Sequence, residues 1–416
     1  MAEKEILIVS AARTPVGNLN GCLSSLAGHD LGAICIQEVL QRAGVVPGSV
    51  SEVIMGQVLT AGDGQNPARQ ASVKAGIPYD IPSTGVNMLC GSGLKAVAMG
   101  YQAIKAGDSS IVVAGGQESM SRARHCAHLR TGKKFGDMTF VDSMISDGLT
   151  DAFHNYHMGI TAENVAQQWN ISRDEQDQFA LQSQQKCGAA RQAGFFQKEI
   201  VTVPIKSRTG TEEVKQDEFP RPSTTLEGLQ KLRPAFVTDG SGTVTAGNAS
   251  GINDGAAAVL LMSREDAGKL GLVPLAKIVS WAQSGVDPSV MGTGPISAVR
   301  KAVEKAKWTL ESVDVFELNE AFAAQSLAVV RDLGIDSKKL LVVGKKTGAP
   351  LGTGRNLGTA TTFCKPAGCL PHMNNFLPKI RFGTRIDEGQ SDSKSAAIST
   401  QPLRPCYIHD FYLVIR

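Results

Sequence analysis

No apolar run in this chain approaches the ~20 residues needed to span a bilayer, and aromatic residues make up only 5% of its 416 positions. Charge of either sign is not in excess: the formal net charge is +3. That is too small for a dedicated nucleic-acid or membrane-surface protein, so partners of those kinds are not expected. Eight cysteines without regular spacing make no disulfide framework,. Cys364 and Cys369 lie close together, but no His–His or Cys-x-x-Cys pair follows at zinc-ligand spacing,. The N-terminus runs straight into an apolar strand and has neither a secretory core nor an acid-poor, Arg-rich presequence,. The closing Leu413-Val-Ile-Arg416 is no peroxisomal signal,. A cytosolic location is therefore expected.

What is present is alternation. Glu5 to Ser10 and Ser51 to Leu59 read as strands, and Ile111-Val-Val-Ala114 reads as a short buried strand,. Between them Ile36, Val39, Leu40 and Ala43, then Leu94, Val97, Ala98 and Tyr101, mark helical faces at i, i+3, i+4, i+7 spacing,. Such alternation predicts a parallel α/β sheet covered by helices on both faces. An internal echo points to duplication: the stretch from Ala43 to Ile54 and the stretch from Ala306 to Phe316 both place Ser-Val before a strand after a helix,.

From about Gln117 to Gly247 the chain turns polar and loop-prone, with one strong helix expected over Asp174 to Ala193. Ser172 as N-cap and Glu175 three residues on would open that helix,. This reads as an insertion of the kind that covers a ligand in α/β enzymes. The last 76 residues differ again. Six of the 18 prolines and a charge of +6 fall there, without sustained periodicity. The expected division is therefore 1–268 (loop insertion about 117–247), 272–340, and a divergent tail over 341–416 without order.

The segment Val86-Asn-Met-Leu-Cys-Gly-Ser-Gly-Leu-Lys-Ala-Val97 carries the strongest chemical signal. Cys90 follows a short apolar stretch and directly precedes a helix, whose N-terminal N–H groups and dipole favour a thiolate. Gly91 and Gly93 permit close approach of substrate or backbone. A small buried cysteine at a turn is the plain alternative.

This segment resembles the nucleophile motif of thiolases. So do Ser10-Ala-Ala-Arg-Thr-Pro15, Gly115-Gly-Gln-Glu-Ser-Met-Ser121, Met158-Gly-Ile-Thr-Ala-Glu-Asn164, Thr245-Ala-Gly-Asn-Ala-Ser-Gly-Ile-Asn-Asp-Gly-Ala256 and Glu317-Leu-Asn-Glu-Ala-Phe-Ala323. The matches run in family order from about Glu5 to Leu340. The resemblance implies a thiolase-like, duplicated α/β/α/β/α layered fold. It implies Claisen condensation of two acetyl-CoA to acetoacetyl-CoA plus CoA, or the thiolytic reverse, through an acyl-Cys90. That chemistry uses coenzyme A thioesters as substrates and no metal or redox cofactor, and a homo-oligomer, dimer or tetramer, is implied with it. The Cys90 N–H would help to form one oxyanion hole, and Asn319 would hold a water in the other. An N-cap on the following helix is the plain reading of Asn319. The resemblance also implies nucleotide-side contacts from Arg221 and Thr224, a pantetheine contact from Ser250, and an acyl pocket lined by His157 and Met158. Without it, Arg221 reads as a solvated loop residue and the His–Met pair as core.

Two family motifs are missing after Leu340: a Gly-His-Pro, whose His activates the nucleophile, and a Cys-x-Gly-Gly-Gly, whose Cys moves the α-proton. Gly348-Ala-Pro stands where the first belongs, and Cys364, Cys369 and Cys406 are not followed by Gly-Gly-Gly. His372 and His409 sit in unrelated contexts. The C-terminal half is accordingly expected to be incomplete, with apolar sheet surface uncovered and catalysis impaired. A catalytically silent acyl-CoA-binding protein is the alternative.

Overall fold

The computed structural model describes residues 4–336 and 339–340, together with the strands Ala367–Gly368, Ser395–Thr400 and Asp410–Ile415. Its centre is an 11-stranded sheet. From one edge the main strands run Val313–Glu317, Ser395–Thr400, Asp410–Ile415, Ala276–Ser284, Ile6–Arg13, Gly251–Ser263, Ile111–Ser119, Glu52–Gly56 and Ser83–Val86.

The first strand shows how the layers form. Successive side chains of a strand point to opposite faces. Ile6 and Ile8 meet helix Ser92–Ala106 on one face. Leu7 and Val9 meet helix Gly28–Ala43 on the other. The same parity holds in Glu52–Gly56, where Val53 and Met55 join the second cluster and Ile54 the first. The apolar stripes read from the sequence are the buried ones: Ile36, Val39, Leu94, Val97 and Ala98 are each 0% exposed.

The sheet is mixed, not parallel as the alternation predicts. Strands Ser83–Val86, Glu52–Gly56 and Ile111–Ser119 pair in parallel. Gly251–Ser263 then runs antiparallel to both its neighbours, Ile111–Ser119 and Ile6–Arg13. The cause is the insertion. A parallel return needs a helical crossover, whereas a long excursion can bring the chain back into the next position in either direction. At this seam the backbones lie close: a Cβ on Gly115 would stand 2.2 Å from the Ala257 carbonyl oxygen.

The internal echo is built as a repeated unit. Helix Gly28–Ala43, a 3₁₀ turn at Pro47–Ser49 and strand Glu52–Gly56 have a counterpart in helix Gly294–Lys305, a turn at Leu310–Ser312 and strand Val313–Glu317. Between Val313–Glu317 and Ala276–Ser284 lie the two tail strands. Ser395–Thr400 pairs in parallel with Val313–Glu317, and Asp410–Ile415 runs antiparallel to Ala276–Ser284. The run Asp410-Phe-Tyr-Leu-Val-Ile415 has the aromatic and β-branched composition of a strand,. Ala349, Cys364, Cys369, His372, Cys406 and His409 lie outside the described residues.

The insertion is anchored to the sheet by a buried ion cluster. Arg13, 1% exposed at the end of the first strand, donates from Nε to Glu199 at 2.7 Å. Its two terminal nitrogens reach Asp217 at 2.7 and 3.0 Å. Burial alone would lower the Arg13 pKa; the Asp217 and Glu199 carboxylates outweigh it and hold the pKa above its ordinary value,. Removing one partner of a buried ion pair leaves an uncompensated charge, at a cost of roughly 3–5 kcal/mol. Arg13→Ala is therefore expected to destabilise the fold by about that amount, read from the urea midpoint at constant slope. A loss below about 1 kcal/mol would show that the cluster does not anchor the insertion.

Candidate active site

Cys90 sits in a bend between strand Ser83–Val86 and helix Ser92–Ala106. The bend is closed locally. Leu89 N–H donates to Asn87 Oδ1 at 3.0 Å, and Met88 N–H donates to Ser92 Oγ at 2.8 Å. Leu89 has φ of 51°, in the left-handed region, which costs an L-residue roughly 1–2 kcal/mol. That strain turns the chain sharply enough to place the next residue at the helix mouth. Gly56 makes room, since a Cβ there would lie 2.4 Å from the Ser92 carbonyl carbon.

Cys90 is 4% exposed and belongs to an apolar cluster with Val58, Leu59, Leu149, Met158 and Phe322. The cluster draws from segments far apart in the chain and brings Cys90 and Met158 together with Phe322 of the Glu317–Ala323 motif. Met158 is 0% exposed. His157 caps helix Met158–Gln168, its Nδ1 accepting from Gly159 N–H at 3.0 Å. The His157 ring stacks on Phe236 with centroids 4.7 Å apart, and Phe236 meets Phe322 edge-on at 6.4 Å. Gly159 permits this: a Cβ there would fall 2.2 Å from the Phe236 ring.

The Thr245–Ala256 loop is tied to the Asn319 motif through backbone. Ser250 N–H donates to the Ala321 carbonyl, and Ala323 N–H donates to the Asn248 carbonyl, each at 2.9 Å. Asn248 braces the loop, accepting from Thr245 N–H at 2.8 Å and donating to Asp177 at 2.9 Å. Ser250 and Asn319 are half-buried. The N-cap of the following helix, Ala323–Leu333, is Phe322, whose N–H is taken by Gln325 Oε1 at 3.2 Å. The capping role that is the plain reading of Asn319 is therefore filled elsewhere.

Arg221 and Thr224 form one turn on the insertion. Thr224 donates from N and Oγ1 to the Arg221 carbonyl at 3.1 and 2.7 Å, and Arg221 N–H docks on Gln184 Oε1 at 2.8 Å. The Arg221 side chain is exposed and stands outside the Cys90 cluster.

Two residues matter more here than sequence reading indicates. Phe236 gives no signal in its own surroundings, although Gly159 beside Met158 could have suggested a ring packed on the helix start. Glu118 is quoted in a motif without a role. It is 1% exposed, and its carboxylate accepts from Val58 N–H at 2.8 Å and Leu59 N–H at 3.1 Å. Burial pushes the Glu118 carboxyl up to about 8 against the pull of those two donors,.

Cys90 thus stands at a strained strand–helix bend of an α/β fold, in an apolar cluster to which the insertion contributes Leu149, Met158 and Val244. The chain belongs to the thiolase family. The family model "Thiolase, N-terminal domain" matches residues 6–265, and "Thiolase, C-terminal domain" matches 272–362, past the composition break at Leu340. The cytosolic acetyl-CoA acetyltransferase of Rattus norvegicus is 59% identical over 349 residues, covering 83% of this chain and 88% of that protein. Acetyl-CoA acetyltransferase of Shinella zoogloeoides is 58% identical over 338 residues, covering 81% and 86%. Human mitochondrial 3-ketoacyl-CoA thiolase superposes with a TM-score of 0.84 at 36% identity over 100% of both chains.

Proposed function

We propose that this chain is a cytosolic acetyltransferase acting on coenzyme A thioesters, with Cys90 as the acyl carrier. The observation that carries the reading is the convergence of Cys90, Met158 and Phe322 in one buried apolar cluster. In the first half-reaction the Cys90 sulfur adds to the acetyl-CoA carbonyl, the carbon–sulfur bond to CoA breaks, and CoA leaves with a proton. In the second, another acetyl-CoA gives up an α-proton, and its carbanion attacks the acyl carbon. The Cys90–acyl bond then breaks, a proton equivalent to the one removed from the α-carbon returns to the Cys90 sulfur, and acetoacetyl-CoA results. The family resemblance assigns the Cys90 N–H to one developing oxyanion, and a water on Asn319 to the other. His157 and Met158 limit the acyl pocket, Ser250 meets pantetheine, and Arg221 with Thr224 meets the nucleotide end. No electron is gained or lost overall, so the reaction calls for no redox cofactor.

The two half-reactions differ in what they demand. Condensation needs a base for the α-proton, and the motifs that supply bases in the family are missing after Leu340. Positioned general bases contribute ~10²–10⁴-fold each. Acylation of Cys90 is therefore expected to outlast condensation, which should run at least about a thousandfold slower than in a complete thiolase. Labelled acetyl-CoA followed by peptide mapping should mark the Cys90 peptide. Label persisting after Cys90→Ser, or condensation at ordinary thiolase rates, would contradict this account. CoA binding without label on wild-type Cys90 would favour a silent acyl-CoA-binding protein.

Arginine's planar fork suits phosphate oxygens. Arg221→Ala should weaken CoA binding about tenfold, equivalent to roughly 1.4 kcal/mol, with the melting temperature unchanged because the side chain is exposed. Equal affinity in calorimetry would remove Arg221 from the site.

The insertion also displays Phe135 at 89%, Phe140 at 56%, Phe153 at 55% and Leu129 at 51% exposure. Exposed apolar groups in one segment mark an association surface, and a second copy of the chain is the proposed occupant. Light scattering should give a dimer or tetramer of the 43.9 kDa chain. A monomer at micromolar concentration would reject it.

A further inference from the structure

Glu118 poses a physical problem. A buried carboxylate costs several kcal/mol, and its electrostatic surroundings raise that cost, because the facing charges are Asp63 and Asp254. Among the described residues it forms no salt bridge. What a carboxyl group can do at this place, and an apolar residue cannot, is accept two consecutive backbone N–H groups through its two oxygens.

Those groups need it. Strand Glu52–Gly56 has ended, and Gln57 N–H still reaches the Val86 carbonyl at 3.0 Å. Val58 and Leu59 follow, and their N–H groups go to the two oxygens of Glu118. The same short segment is held again from the side. Gln57 Nε2 donates to the Leu59 carbonyl at 3.0 Å, and Gln57 Oε1 accepts from Gln117 Nε2 at 2.8 Å. Neighbouring residues of one strand, Gln117 and Glu118, therefore serve a single loop. Val58 and Leu59 are each 6% exposed and belong to the cluster of Cys90 and Met158.

We propose that Glu118 is a positioning residue that sets the size of the acyl pocket, by fixing Val58 and Leu59 beside Cys90 and Met158. The wall is made of two apolar side chains whose backbone lies outside any strand or helix, so the carboxyl, with the Gln57–Gln117 bracket beside it, limits how far it can yield. This rests on Cys90 being the acyl carrier, and the test separates the two ideas.

Glu118→Gln keeps the shape of the side chain but leaves one good acceptor; Glu118→Ala removes both. Two quantities are read for each variant. One is hydrogen–deuterium exchange over residues 57–60. The other is the ratio of Cys90 acylation rates with butyryl-CoA and acetyl-CoA, per acylatable site. A pocket contact of one methylene is worth about tenfold or more in discrimination. The ratio is expected to shift towards butyryl-CoA by about tenfold in Glu118→Ala, by less in Glu118→Gln, with faster exchange confined to Val58 and Leu59. A purely structural role would lower the melting temperature and leave the ratio unmoved, which would overturn the proposal. Failure of Glu118→Gln to fold would assign the carboxyl to stability and overturn it equally; if only Glu118→Ala fails, the Gln variant decides. If wild type takes no acyl group at all, the functional reading falls, and unchanged exchange in Glu118→Gln would then still reject the positioning role.

Discussion

Arg13 holds the architecture of this protein together at the point where it is most divided. The chain leaves the sheet after Ser119 and returns at Gly251, and the excursion carries Met158, Phe236 and Arg221. Two of its carboxylates, Glu199 and Asp217, come back to one guanidinium at the end of the first strand. All three groups are within 5% of full burial. A buried charge without its partner is far worse than no charge, so the three residues stand or fall together. The insertion is thereby fixed to the sheet by a contact that tolerates little displacement. The pocket half that it carries inherits that rigidity.

Local features of the fold are readable from the sequence because their causes are local. The box of Ser172 and Glu175 forms as expected, with Ser172 N–H donating to Glu175 Oε2 at 2.8 Å and Glu175 N–H to Ser172 Oγ at 3.3 Å. The stripe from Ile36 to Ala43 faces the core because 3.6-residue periodicity determines it within one helix. Strand direction is another matter. Gly251–Ser263 is buried from Asn253 onward, and Ala257 to Met262 pair with strands on both sides, an arrangement that parallel or antiparallel geometry would serve equally well for burial,. Only the path of the long excursion from Ser119 to Gly251 selects one. Strands Ser395–Thr400 and Asp410–Ile415 escaped for a related reason, since a tail unlike the family pattern offered no register to read.

The site shows the same division. Cys90 is legible because its glycines and helix lie within a few residues of it, and Met158 because it falls in a motif. Phe236 and Glu118 act across long separations: Phe236 meets rings at positions 157 and 322, and Glu118 meets amides 60 and 59 residues earlier in the chain. Nothing in a one-dimensional pattern announces such a meeting. The competing interpretation of Asn319 failed for a structural reason. The helix starts at Ala323, three residues later than an Asn319 cap would place it, and Gln325 caps it by reaching back to Phe322.

These features give the pocket a particular physical character. Its lining is apolar, yet several of the segments forming it are held by polar groups: Glu118 behind Val58 and Leu59, Asn248 behind Ala249, and Glu163 taking the Thr243 and Val244 amides at 2.9 and 2.8 Å. An apolar wall alone has no directional preference and could close over an empty cavity. Hydrogen bonds are directional, and a buried one is costly to break. Placing them one layer out lets the lining remain apolar and still keep its shape. On the proposed function, a thioester would meet walls already in position, and little ordering would remain to be done as the acyl carbon approached Cys90.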